Sequence, residues 1–145
     1  MRRVSDSVTA AFALALITVV SLSVGTSAQN IGGSPEARKV KNPVAATPES
    51  IAAGKATFMK TCKFCHGEDA KGDGPMAPKD SHPANLVDDK WDRGSTDGEI
   101  FAVIRNGAGP KFDMKPNKAL SDQDIWNIIN YLRSIGPQIV SIQLH

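Results

Sequence analysis

Both cysteines of this chain stand within one short stretch, TCKFCHG at residues 61–67. Cys62 and Cys65 are separated by two residues, and His66 follows at once. Three chemistries compete for such a cluster. A disulfide, or a redox-active thiol pair, leaves His66 without a role and expects a βαβ setting that the sequence lacks. A structural zinc ion needs four ligands. Beyond the cluster only His82 and His145 remain, and neither lies in a second ligand pair. Covalent haem attachment uses all three residues. The two thiols add to the two vinyl groups as thioethers, one turn of chain spans both, and His66 is placed under the iron as proximal ligand. The cluster therefore predicts one covalently attached haem c.

The elements that must position this cluster are helical. A first helix opens at Thr47, an N-cap, with Pro48 at the first helical position and Glu49 beside it. It runs through IAAGKATFMK and ends near Cys62. A second opens with TDGE, where Thr96 and Glu99 form a capping box, and stops at Asn106-Gly107. A third opens with SDQD, capped by Ser121. Its residues Ile125, Ile128, Ile129 and Leu132 fall on one face, and Gly136-Pro137 ends it. No strand alternation competes. Two long irregular stretches, 67–94 and 107–120, are expected to wrap a ligand.

The 145 residues allow one modest domain, with 22% charged and 41% hydrophobic residues. A net charge of +2 and the absence of a dense basic tract exclude a general nucleic-acid binder. Residues 1–28 read as a secretory signal peptide: Arg2 and Arg3, an apolar run from Val8 to Val24, then Thr26-Ser27-Ala28. Cleavage after Ala28 sends the protein to the periplasm; retention makes the run a membrane anchor. Residues 29–46 read as a flexible leader, 47–136 as the working domain, and 137–145 as a C-terminal tail. A domain this small, with few aromatics, needs something else to fill its core.

Several further residues, in order, carry a resemblance to the class I monohaem c-type cytochromes. Gly54 and Phe58 precede Cys62 by eight and four residues, and Tyr131-Leu132 lie in the last helix. GDGP at 72–75, PANL at 83–86, TDGEIF, NG and LSDQDIWNIINYLRS complete the match. It covers about residues 47–135 and is similar to the small bacterial electron-transfer branch. The resemblance implies an all-α cytochrome c fold, with three main helices and long loops wrapped round one haem. It also implies that Gly54 and Phe58 cross Tyr131-Leu132, that His66 donates to the Pro83 carbonyl, and that Leu86 packs on the haem. Trp91, Phe101, Ile104 and Phe112 are candidates for the pocket, plain helix packing being the alternative for each. Trp126 reads as core.

His66 supplies one axial ligand. Met59, Met76, Met114, His82 and His145 compete for the other, or it stays open. Met59 precedes the motif within a helix, and Met76 follows His66 too closely. Met114 lies in the irregular segment GPKFDMKP, and the family places its methionine there. Lys115 intervenes before Pro116, a departure from the family's Met-Pro. Ligation by His66 and Met114 implies a carrier of single electrons and no enzyme by itself. Its partners would be a dehydrogenase, a cytochrome complex or a terminal oxidase, met as a monomer. An open sixth site would imply a haem-based sensor or peroxidase instead. Lys63, Lys111 and Lys115 flank these residues, either steering an acidic redox partner or lying solvated on the surface.

Overall fold

The computed structural model describes residues 34–80, 82–109 and 114–137. Residues 1–28, read as a signal peptide, the start of the expected leader and most of the expected tail lie outside them. Five helices follow in chain order: α1 Pro35–Lys39, α2 Pro48–Thr61, α3 Lys63–His66, α4 Asp97–Asn106 and α5 Asp122–Ile135. Helices α2, α4 and α5 coincide with the three expected from the sequence. Their caps form as read: Thr47 accepts from the Ser50 amide, while Thr96 with Glu99 and Ser121 with Asp124 form capping boxes. Among the described residues there is no strand, only an isolated bridge between Ala108 and Met114. None of the described helices is long and apolar enough to cross a membrane.

The crossing of α2 and α5 organises the core. Gly54 permits it. A Cβ there would fall 1.9 Å from the Asn127 carbonyl oxygen, so the two backbones touch where any larger residue would part them. One turn on, Phe58 is fully buried and meets Tyr131 at 5.5 Å between ring centroids. Ile125, Ile128 and Ile129 are buried beside them. Trp126 is core as expected, stacked on Phe101 at 4.2 Å.

A polar node closes one end of the crossing. The Ser50 hydroxyl donates to Asn127 Oδ1 at 2.8 Å. The Asn130 amide donates to Ser50 Oγ and to the carbonyls of Val44 and Ala45. Asn42 in turn donates to Asn130 Oδ1 at 2.8 Å. Every buried side-chain nitrogen or oxygen among the described residues has a partner, which a buried node requires if it is not to destabilise the fold.

That node corrects one expectation. Residues 34–46, read as part of a flexible leader, are folded against the domain. Arg38 pairs with the buried Glu99 at 3.0 Å, and Ala37 and Val40 seat on Gly98 of α4. Burial alone would raise the Glu99 pKa. The Thr96 amide and hydroxyl and the Arg38 guanidinium outweigh it and hold the carboxyl below its ordinary range. Its stabilising contribution is therefore present at neutral pH and is lost as pH falls through the lowered value.

The Gly54 contact generates a prediction. Gly54→Ala should force the helices apart and destabilise the haem-loaded protein by about 2–3 kcal/mol, as overpacking of a close contact does. Denaturant unfolding checks this, and an unchanged midpoint would refute it.

Candidate haem site

Cys62 joins the end of α2 to the next helical turn, α3, which holds the rest of the cluster. Cys62 N donates to the Phe58 carbonyl at 2.8 Å and closes α2. The Cys62 carbonyl then accepts from the amides of Cys65 and His66, at 3.2 and 3.0 Å. This single turn places Cys62, Cys65 and His66 on one wall of a cleft. The cleft has a volume of about 220 Å³ and opens to solvent. Its other walls are mostly apolar: Ile100, Val103 and Ile104 from α4, Ile128 and Leu132 from α5, and Leu86 from the loop.

His66 is oriented by a backbone carbonyl. Its Nδ1–H donates to Ala84 O at 3.2 Å, which leaves Nε2 with its lone pair free to bind a metal. Burial lowers the ring's pKa and favours the neutral form, while the bond to Ala84 works in the other direction. The resemblance implied Pro83 as the acceptor. The structure gives the next residue, because the Pro83 carbonyl is turned onto Gly72: a Cβ on Gly72 would lie 2.1 Å from it. The loop is held by Gly72 N to His66 O and Leu86 N to Ala70 O, both 2.8 Å.

The two thiols are not bonded to each other. Burial raises the Cys62 pKa, Thr61 opposing and Cys65 adding to the rise. Among the described residues no cluster of three or more His, Cys, Asp or Glu could hold a bare metal ion. Among those residues the four-ligand set of a zinc site is absent. The site has instead a large apolar cleft, two thiols and one neutral imidazole at its wall, which suits a flat hydrophobic macrocycle.

Met114 lines the same cleft. The chain around it is irregular but tied at both ends. Ala108 and Met114 exchange backbone bonds at 2.8 and 3.3 Å, and Asn117 N donates to Ile104 O at 3.0 Å. Gly107, at φ +82°, lets the chain reverse; a Cβ there would meet the Met114 carbonyl at 2.6 Å. Arg105 donates to the carbonyls of Asn117 and Leu120 and pairs with Asp122.

Of the other candidates, Trp91, Leu86, Ile104 and His82 line the cleft. Met76 is 67% exposed, and Met59 packs against the core. Phe101 faces Trp126 rather than the cleft. Phe112, Lys111 and His145 lie outside the described residues. Sequence reasoning missed Arg105, whose role depends on where a distant loop passes. It also missed Ile100 and Val103, although their helical spacing from Ile104 carried the signal.

Helices wrapped round a cleft that bears CxxCH define a c-type cytochrome domain. Residues 49–132 match the family model described as cytochrome c oxidase, cbb3-type, subunit III. The chain belongs to that family, and its cofactor is haem c. It is 35% identical over 91 residues to the Cbb3-type cytochrome c oxidase subunit FixPc of Rhizobium leguminosarum bv. viciae, covering 61% of this chain and 29% of that protein. It is 27% identical over 93 residues to subunit CcoP of Rubrivivax gelatinosus, covering 64% of this chain and 28% of that protein. The chain thus spans less than a third of the length of these relatives. Among solved structures, cytochrome cL of Methylophaga aminisulfidivorans superposes with a TM-score of 0.51 at 30% identity, over 61% of this chain and 55% of that one. A chain of the reducing HAO-like protein complex of Kuenenia stuttgartiensis gives 0.58 at 26%, over 68% and 50%.

Arg105 offers a test of how the Met114 segment is held. Arg105→Gln should loosen the segment and speed amide hydrogen exchange at Ala108 and Asn117 by about 10- to 100-fold, the loss of charge-assisted bonds worth about 1.5–3 kcal/mol. Amides in the middle of α5 should not change.

Proposed function

We propose that this protein carries single electrons between redox partners. Cys62 and Cys65 hold the haem through thioethers, and His66 and Met114 are the two axial ligands. One observation supports this most: all four residues, scattered over 53 sequence positions, line one apolar cleft. The bound haem supplies a one-electron Fe(III)/Fe(II) couple. The chain's own residues do the rest. Ala84 fixes the His66 ring, Leu86, Ile100 and Ile104 exclude water, and the Ala108–Met114 bridge presents the thioether. A neutral sulfur ligand favours the reduced iron and raises the potential. With both axial positions filled, substrates have no route to the metal, so the domain is not an enzyme by itself.

The proposed setting is the periplasmic face of a bacterial membrane. Residues 1–28 support export, either cleaved or kept as an anchor. Membership of the cbb3 family supports service in a respiratory chain, with a terminal oxidase, a cytochrome complex or a dehydrogenase as partner. A sensor or peroxidase with an open sixth position is the alternative, and it has no use for a methionine so held beside the cleft.

The test is spectroscopic. The ferric protein should be low-spin and show the weak near-infrared band of sulfur–iron ligation. Met114→Ala should abolish that band and lower the reduction potential, with the haem still covalently bound. A spectrum unaltered by the substitution would remove Met114 as ligand. A high-spin ferric wild type would favour the sensor or peroxidase.

A further inference from the structure

We infer that Arg38, on the N-terminal arm, raises the electron affinity of the haem by neutralising the Glu99 carboxylate behind the wall of the cleft. The inference rests on the carrier reading, since only a redox-active iron responds to that charge. Glu99 is 1% exposed. It does not itself line the cleft, but its neighbours Gly94 and Ile100 do. Gly94 is pressed against it: at φ +90°, a Cβ there would fall 2.4 Å from Glu99 Cδ. The carboxylate therefore stands one residue's thickness from the cleft.

Of the groups bonded to that carboxylate, Arg38 is the one that brings a charge. Oε2 accepts from the Thr96 amide at 3.0 Å and the Thr96 hydroxyl at 2.9 Å. Oε1 accepts from Arg38 Nε at 3.0 Å. The Thr96 donors are neutral dipoles, and the N-terminus of α4 adds about half a positive charge. Arg38 supplies a full countercharge. The other charges on the elements packed here are mixed in sign. Glu36, Lys39 and Lys41 accompany Arg38 on the arm, and Asp92 and Arg93 precede Gly94. Asp97 pairs with Arg133 of α5 at 2.8 Å.

Oxidation adds one positive charge at the iron, and an uncompensated carboxylate nearby favours that oxidised state. With Arg38 bonded to it, Glu99 presents little net charge to the cleft, and reduced iron is not disfavoured. Covered groups are screened much less by salt and water than exposed ones. The Arg38 side chain is 65% exposed and that of Glu99 2%. The carboxylate therefore acts on the cleft more strongly than the guanidinium does alone. Ala37 and Val40, seated on Gly98, hold the arm in place. Arg38 thus acts through Glu99, as a positioning residue. Burial works to raise the Glu99 pKa, and the bonds from Thr96 and Arg38 outweigh it. Loss of Arg38 moves that carboxyl upward.

Reduction potentials of the haem-loaded wild type and its variants, measured across the acid and neutral range, test this. At neutral pH, Arg38→Gln should shift the Fe(II)/Fe(III) equilibrium about threefold toward ferric, a fall of about 30 mV for one electron. The deficit should fade as pH drops and Glu99 takes up a proton. Glu99→Gln should move the potential the other way, upward and by less. The double variant Arg38→Gln/Glu99→Gln should return to wild type, and Arg38→Lys should stay there. Loosened packing would move both single variants in one direction, so opposite signs separate charge from structure. A second readout is the Glu99 carboxyl resonance in the Arg38→Gln protein, which should titrate at lower pH in the ferric than in the ferrous state. An Arg38→Gln potential equal to wild type at neutral pH, or a deficit kept in the double variant, would overturn the inference. Should Arg38→Gln not fold, a Glu99→Gln potential that does not rise would overturn it. An iron that does not cycle reversibly in any of these proteins would instead sink the carrier reading, and this inference with it.

Discussion

A large apolar cleft inside a small domain is the constraint on which everything else here depends. Open to water, its walls would lose the burial that stabilises a core, at about 25 cal/mol for each Å² of apolar surface left wet. The fold tolerates the cleft because a cofactor closes it. Ile100, Ile104, Ile128 and Leu132 stand on the inner faces of α4 and α5, and Phe58 on that of α2. In an ordinary helical domain these faces would meet one another. Here they meet only in part, with Phe58 against Tyr131 and Ile128 buried, and the cleft left beside the CxxCH turn is where a macrocycle would complete the core.

The rest of the structure holds that cleft in shape. Gly54 brings α2 and α5 into backbone contact at one end, and the Ser50–Asn127–Asn130 node fixes their register. Capping boxes at Thr96 and Ser121 set where α4 and α5 begin. Arg105 then spans the gap between them and holds the irregular segment that carries Met114. Among its described residues, Met114 bonds to Ala108, while Asn117 and Leu120 bond to Ile104 and Arg105 of α4. Met114 lines the cleft from this segment, with Lys115 standing between it and Pro116.

Much of this was legible in the sequence, for local reasons. Cys62, Cys65 and His66 must be one turn apart to serve one haem, so their spacing states their chemistry. Caps are short-range patterns, and all three long helices begin where Thr47, Thr96 and Ser121 predict. Gly54 was readable only through the resemblance, since a glycine in a helix does not name its neighbour. Other features depend on distant parts of the chain and left no local trace. The 34–46 arm has no apolar period and looks like a leader. It is fixed by Arg38 on Glu99 and Asn42 on Asn130, pairs that lie 61 and 88 residues apart. The bond from His66 to Ala84 rather than Pro83 depends on the path of the loop, where Gly72, at positive φ, lies against the Pro83 carbonyl. Arg105 is one arginine among many until the loop it holds is known.

The central claim is that the haem is the missing part of the core, and its removal tests this most directly. The haem-loaded protein and a Cys62→Ser/Cys65→Ser variant made without haem would be compared by near-ultraviolet circular dichroism and thermal unfolding. The account predicts a cooperative transition and a structured aromatic signal from Trp126 and Tyr131 in the haem protein only. The haem-free chain should keep some helix and lose fixed packing. A haem-free chain that unfolds cooperatively near the same temperature would contradict the account, since the cleft would then be a pocket in a finished core.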